Sequence, residues 1–138
     1  MSTPPAVSAV ATWHAALAAG DPDRIAEVTH PDIATVGPRG SGFGVALVQD
    51  WALRSGIRLE PRRWFARDDR VVVEQAARWL DSETGDLGDP VILATSFACR
   101  GGRITRIARF PDLSTALDDA ALTEADAYPG PGRPTQTP

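Results

Sequence analysis

The chain has 138 residues, of which 43% are hydrophobic and 23% charged, and its formal net charge is −4. That length and balance fit one globular domain around one core and exclude collagen-like, disulfide-knit and disordered chains. The acidic balance also argues against a nucleic-acid partner, because backbone binding rests on dense cationic patches that release counterions.

The one arginine-dense stretch, residues 54–78, is interrupted by Glu60, Asp68, Asp69 and Glu74. A single cysteine, Cys99, allows no intrachain disulfide, so a reducing cytoplasm is the expected location. No apolar run reaches the roughly 18 residues a membrane helix needs, so no membrane partner is expected. Residues 1–5 and 128–138 are rich in Pro, Gly and Thr and read as flexible ends, which leaves 6–127 as the domain.

Within that domain, Val7, Val10, Trp13, His14 and Leu17 recur at helical spacing and Gly20 follows as a C-terminal cap. Asp21 before Pro22 predicts a second, short helix, which Pro31 should end. A short strand is expected over 33–36, then a glycine-rich loop, GPRGSGFG, over 37–44. A third helix with Leu47, Val48 and Trp51 as its buried stripe closes at Gly56. Four strands follow over 57–67, 70–80, 90–100 and 103–110, forming two hairpins, and a last helix capped by Ser114 runs to about 127. Helices first and an antiparallel sheet second make an α+β domain, with the helices on one face of a curved sheet.

That order, the segment WHAALAAGDPDRIAEVTHPDIATV (13–36) and the ending GGRITRIARFPD (101–112) resemble the NTF2-like superfamily, in particular its SnoaL-like branch. The resemblance implies a cone, with helices packed in the concave face of a curved, mostly antiparallel sheet. It also implies a pocket between them and frequent homodimerisation through the open face of the sheet. It implies no single reaction, since members include isomerases, cyclases, epoxide hydrolases, dehydratases and non-enzymatic proteins.

Laid against the ketosteroid-isomerase pattern, the oxyanion tyrosine falls on Trp13, the shuttle aspartate near Gly37, and the strand aspartate on Leu93 or Ala94. An indole N–H donates at a different reach and the other two positions carry no acid, so that chemistry is not expected. The epoxide-hydrolase pattern needs interior acids, for which Glu74 is the obvious candidate. His14 is the best candidate base. His30 and Asp32 have a spacing that can serve a metal, but no third ligand accompanies them, and neither metal nor cofactor is expected. The glycine-rich loop with Arg39 precedes a helix N-terminus but lacks the P-loop ending.

Strand alternation decides where Glu74 belongs. Val71, Val73, Gln75, Ala77 and Trp79 form the more apolar set, against Val72, Glu74, Ala76 and Arg78. A three-residue loop, Asp68 to Arg70, sets Phe65 opposite Val73 and keeps the apolar sets of both strands on one face; a two-residue loop at Asp68 and Asp69 mixes them. The first register is therefore expected, and a bulge near Thr105 is expected in the second hairpin.

The resulting pocket comprises Trp13, His14, Trp51, Arg63, Phe65, Gln75, Thr95 and Phe97. Trp64, Val72, Glu74, Arg78 and Ile92 fall on the opposite face, at a homodimer contact. The expected function is binding of a small molecule. A cyclase, isomerase or hydratase using His14 as base and Arg63 as anion stabiliser is the enzymatic alternative, and a non-catalytic dimeric interaction module is the third.

Overall fold

The computed structural model describes residues 4–37, 40–54, 56–81 and 83–128. The ends read as flexible lie largely outside that set, although Pro5 opens the first helix and Tyr128 closes the last strand.

Helix α1 (Pro5–Ala19) stops at Gly20, whose φ of 66° is the left-handed conformation that closes a helix end without a Cβ clash. Helix α2 (Pro22–Glu27) starts at Asp21, whose carboxylate accepts from the Arg24 N–H at 3.1 Å. It ends four residues before Pro31, earlier than the sequence suggested, and strand β1 (Thr29–Gly37) takes in the proline. The register of β1 is irregular between Thr29 and Ala34, so the missing proline N–H interrupts no regular ladder.

The glycine-rich segment is not simply a loop, because Gly40–Phe43 forms strand β2, antiparallel to β1, with Thr35 opposite Gly42. Pro38 and Arg39 lie outside the described residues. Helix α3 (Val45–Arg54) buries Val48 and half-buries Trp51, while Leu47, expected in the same stripe, is exposed.

Strands β3 (Ile57–Arg67), β4 (Arg70–Trp79), β5 (Val91–Arg100) and β6 (Arg103–Phe110) fall close to their expected bounds. Instead of one long final helix there is α4 (Leu113–Ala120), capped by Asp112 rather than Ser114, then a 3-10 turn (Glu124–Asp126) and a two-residue strand β7 (Ala127–Tyr128). Ala121 breaks the helix with φ 58°.

The strands form one curved, unclosed sheet in the order β2-β1-β6-β5-β4-β3-β7, antiparallel except where β1 meets β6. Two apolar layers cover it. On the inner face Val7, Val10, Trp13 and Leu17 of α1 pack with Ile57, Val71, Val73, Ala77, Leu93, Phe97 and Ile104. On the outer face α4 places Ala116, Leu117 and Ala120 over Phe65, Val72 and Ala94. The helices thus occupy both faces, not one, because α4 has its own apolar stripe and crosses the back of the sheet.

The β3–β4 hairpin corrects the expected register. Arg67 pairs with Arg70, so the loop is the two residues Asp68 and Asp69, and Phe65 stands opposite Val72. The mixing of faces that this loop threatened is cancelled by a bulge. Pro61 pairs with Gln75 and Arg63 with Glu74, which leaves Arg62 as one extra residue on β3. Before the bulge Ile57 and Leu59 face inward; after it the inward residues are Trp64 and Ala66. The second hairpin is likewise bulged, with Ala98 opposite Arg106, Cys99 opposite Ile104, and Thr105 between them, as its sequence suggested.

Candidate functional site

The inner face gathers its polar groups at one level of the cone. Helix α1 supplies Trp13 and His14 on successive positions, β4 supplies Gln75, and β5 supplies Thr95 and Phe97 two residues apart. Alternation along the strands and the helical turn aim all five inward, and all five are buried.

Three of them form one directed chain. The Nδ1 of His14 lies 2.8 Å from the Val10 carbonyl, which can only accept, so that nitrogen carries the proton. In a neutral ring Nε2 is then the acceptor, and the Gln75 Nε2 amide donates to it at 2.8 Å. This orients the Gln75 amide, whose Oε1 accepts from the Thr95 hydroxyl at 2.7 Å. The backbone carbonyl of one helical residue thereby fixes a tautomer, an amide orientation and a hydroxyl rotor. Removal from water lowers the His14 pKa to about 4, against a smaller upward pull from the Val10 carbonyl. His14 is neutral near pH 7, with its lone pair occupied.

A pH dependence of stability follows. Its folded pKa lies below the unfolded value of 6.5, so between those two values the unfolded chain binds the extra proton. The contribution is complete above the unfolded value and is lost as pH falls toward the folded one. Urea unfolding at roughly pH 7.5 and pH 5 should differ by about 2 kcal/mol from this group. A His14→Gln variant should lose that part of the slope; an unchanged slope would refute the assignment.

Around this chain stand aromatic rings. Trp13 meets His14 edge-on at 5.0 Å and Phe97 at 5.4 Å, and lies almost parallel to Trp51, with centroids 6.2 Å apart and planes 9° apart. Trp64 is 5.6 Å from the His14 ring. The Trp13 indole Nε1–H is buried and has no hydrogen-bond partner among the described residues. An unsatisfied buried donor costs about 1–3 kcal/mol, so it is a position where an acceptor is favoured.

The other expected site residues lie elsewhere. Arg63 and Phe65 are on the outer face, because the bulge at Arg62 reverses their direction. Arg63 pairs with Glu124 at 2.8 Å and stacks over the Phe65 ring at 5.0 Å, and Phe65 is buried under α4. His14 and Arg63 therefore point to opposite sides of the sheet. Arg106 is bound on the outer side to Asp119.

Two residues expected at a homodimer contact are covered within the chain. Trp64 packs inward against His14 and Val72 is sealed beneath α4. Glu74 sits opposite Arg63 on the outer side, Arg78 donates to the Gly88 carbonyl, and Ile92 remains 45% exposed. Sequence alternation missed Trp64 as an inner residue, since nothing in PRRW marks the bulge.

His30 accepts from the Asp32 N–H and faces Arg100, and no three His, Cys, Asp or Glu gather as a metal site among the described residues. Burial and the Asp69 carboxylate push the Cys99 thiol up to about 12, which disfavours the thiolate near pH 7. No helix among the described residues is long and apolar enough to cross a membrane.

Solved structures share this architecture. An NTF2-like protein from Burkholderia xenovorans superposes with a TM-score of 0.67 at 24% identity, over 87% of this chain and 98% of that one. A protein from Jannaschia sp., assigned as a SnoaL-like polyketide cyclase, gives 0.68 at 14% identity, over 89% and 98%. The chain has the NTF2-like fold. A third solved structure, TerC co-crystallised with polyporic acid, gives a TM-score of 0.65 at 25% identity, over 84% and 97%. No protein-family model and no curated protein matches the chain. At these identities the likeness carries the NTF2-like cone and not a reaction, so function is argued from the inner face.

Proposed function

We propose that the inner face of the cone binds a planar, carbonyl-bearing small molecule, and that it does so without acid–base chemistry by His14. The observation that carries this reading is the buried Trp13 Nε1–H, which lacks an acceptor and lies beside the parallel Trp51 ring. A carbonyl oxygen would satisfy the indole while the rest of the molecule lies against aromatic rings. His14 does not serve as base in this reading, because both ring nitrogens are engaged and its pKa is about 4. Arg63 does not serve as anion stabiliser, since it is committed to Glu124 on the other face.

The neighbour TerC was crystallised with polyporic acid, a hydroxyquinone, which makes that compound and its neutral dimethyl ether suitable probes. The inner groups named above include no cation, so the neutral ether should bind at least as tightly as the ionised acid. Calorimetric titration of the Trp13→Phe variant, which keeps a ring but removes the donor, should show affinity for the ether weakened about three- to tenfold, the worth of one neutral hydrogen bond. Equal affinity in the variant, or no binding of either probe, would favour the reading of these rings as plain core.

A further inference from the structure

We infer that the segment from Ala121 to Tyr128 is a detachable strap whose tyrosine closes the tryptophan-lined inner face, an inference that rests on the binding role proposed for that face. The geometry begins at Ala121, where φ 58° ends α4 and turns the chain across the edge of the sheet. Seven residues later Tyr128 pairs with Trp64, and Ala127 with Phe65. Residues directly opposite in an antiparallel pair present their side chains to the same face. Trp64 faces inward, and so does Tyr128, which packs against the inner cluster. Tyr128 thus stands beside Trp64 on the inner face, and from Trp64 the ring contacts run through His14 to Trp13.

The fastenings of this strap are weak in kind. Leu122 anchors its start in the outer cluster, but the 3-10 turn buries no residue and Ala127 is exposed. What remains is the partly buried Tyr128 ring, a two-residue ladder, the Arg63–Glu124 pair with side chains 48% and 66% exposed, and the Arg67–Asp126 contact at 3.7 Å, with side chains 53% and 12% exposed. Arg67 also donates to the Ala121 carbonyl. Exposed ion pairs contribute little and are screened by salt. The α1–β4–β5 layer beneath is held by large buried side chains, so the strap opens without the rest unfolding. Lifting Tyr128 uncovers Trp64 and, behind it, the His14 and Trp13 rings.

Two measurements on the full-length chain test this without any ligand, so their failure is separable from failure of the binding proposal. Raising salt, or substituting Glu124→Gln, should speed amide exchange at Tyr128 about two- to fivefold, the factor that one surface ion pair is worth, and leave exchange at Val72 and Thr95 unchanged. In a Trp79→Phe background, which removes the partly exposed indole, the same conditions should raise acrylamide quenching of the remaining tryptophans. Tyr128→Ala should raise it further and abolish its salt dependence. Exchange of Tyr128 only at the global unfolding rate, or quenching unaltered by Tyr128→Ala, would overturn the inference.

Discussion

Deleting Arg62 should abolish the cooperative fold, whereas Arg62→Ala should leave stability within about 0.5 kcal/mol of the parent. Arg62 is exposed, and its contribution is one of count rather than chemistry: it is the extra residue that lets a two-residue loop coexist with apolar faces in phase. Without it, residues 57–61 shift by one against β4 and turn over. Ile57 and Leu59, now in the inner layer, would face outward, and Arg58 and Glu60 would face α1. Exposing two such side chains costs about 2 kcal/mol each, and burying two unpaired charges adds more, so the total exceeds about 4 kcal/mol. Urea unfolding of the two variants side by side decides the point. A deletion variant as stable as Arg62→Ala would mean that the register slips without penalty and that the bulge is incidental.

The same residue marks where the sequence stopped being legible. Strand bounds, the Gly20 and Asp21 caps and the inward set on β4 and β5 followed from local rules: left-handed glycine, side-chain capping and period-two alternation. The bulge near Thr105 announced itself because Ile104 and Ile107 cannot both obey alternation. At PRRWFAR nothing conflicts locally. Either register buries apolar groups, and the choice depends on α4, which supplies an apolar layer on the outer face for Phe65 and Val72 to enter. With only one apolar face in view, alternation assigned Phe65 and Arg63 to the inner side and Trp64 to the outer, and all three are reversed. The inner residues Trp13, His14, Gln75, Thr95 and Phe97 were legible because no bulge interrupts β4 or β5 beside them. Their hydrogen-bond order was not, since it depends on a backbone carbonyl of α1 that no side-chain pattern reveals. The strap was hidden too: DDAALTEAD continues a helical composition, and only the left-handed Ala121 shows that it stops.

Substituting Gln75→Leu should destabilise the protein by about 3 kcal/mol although the two side chains have similar volume, because the change strands two buried groups. The His14 Nε2 lone pair loses its donor and the Thr95 hydroxyl its acceptor, and all three residues are nearly or fully buried. The Val10 carbonyl prevents the ring from escaping by exchanging tautomers, since turning the proton to Nε2 would abandon the bond at Nδ1. The loss therefore belongs to unsatisfied groups rather than to a cavity, and that distinction can be measured. Making the whole chain apolar, with Thr95→Val and His14→Phe added, removes both orphans and should recover at least half of the loss, as replacing all partners by groups of similar shape does. A cavity or packing origin predicts the opposite, a triple variant worse than the single one. If Gln75→Leu alone were neutral, His14 and Thr95 would have to find partners in water admitted from the inner face. The aromatic layer from Trp13 to Trp64 would then be too open to hold a dry carbonyl ligand against the indole, and the ligand class proposed for this face would fall with it.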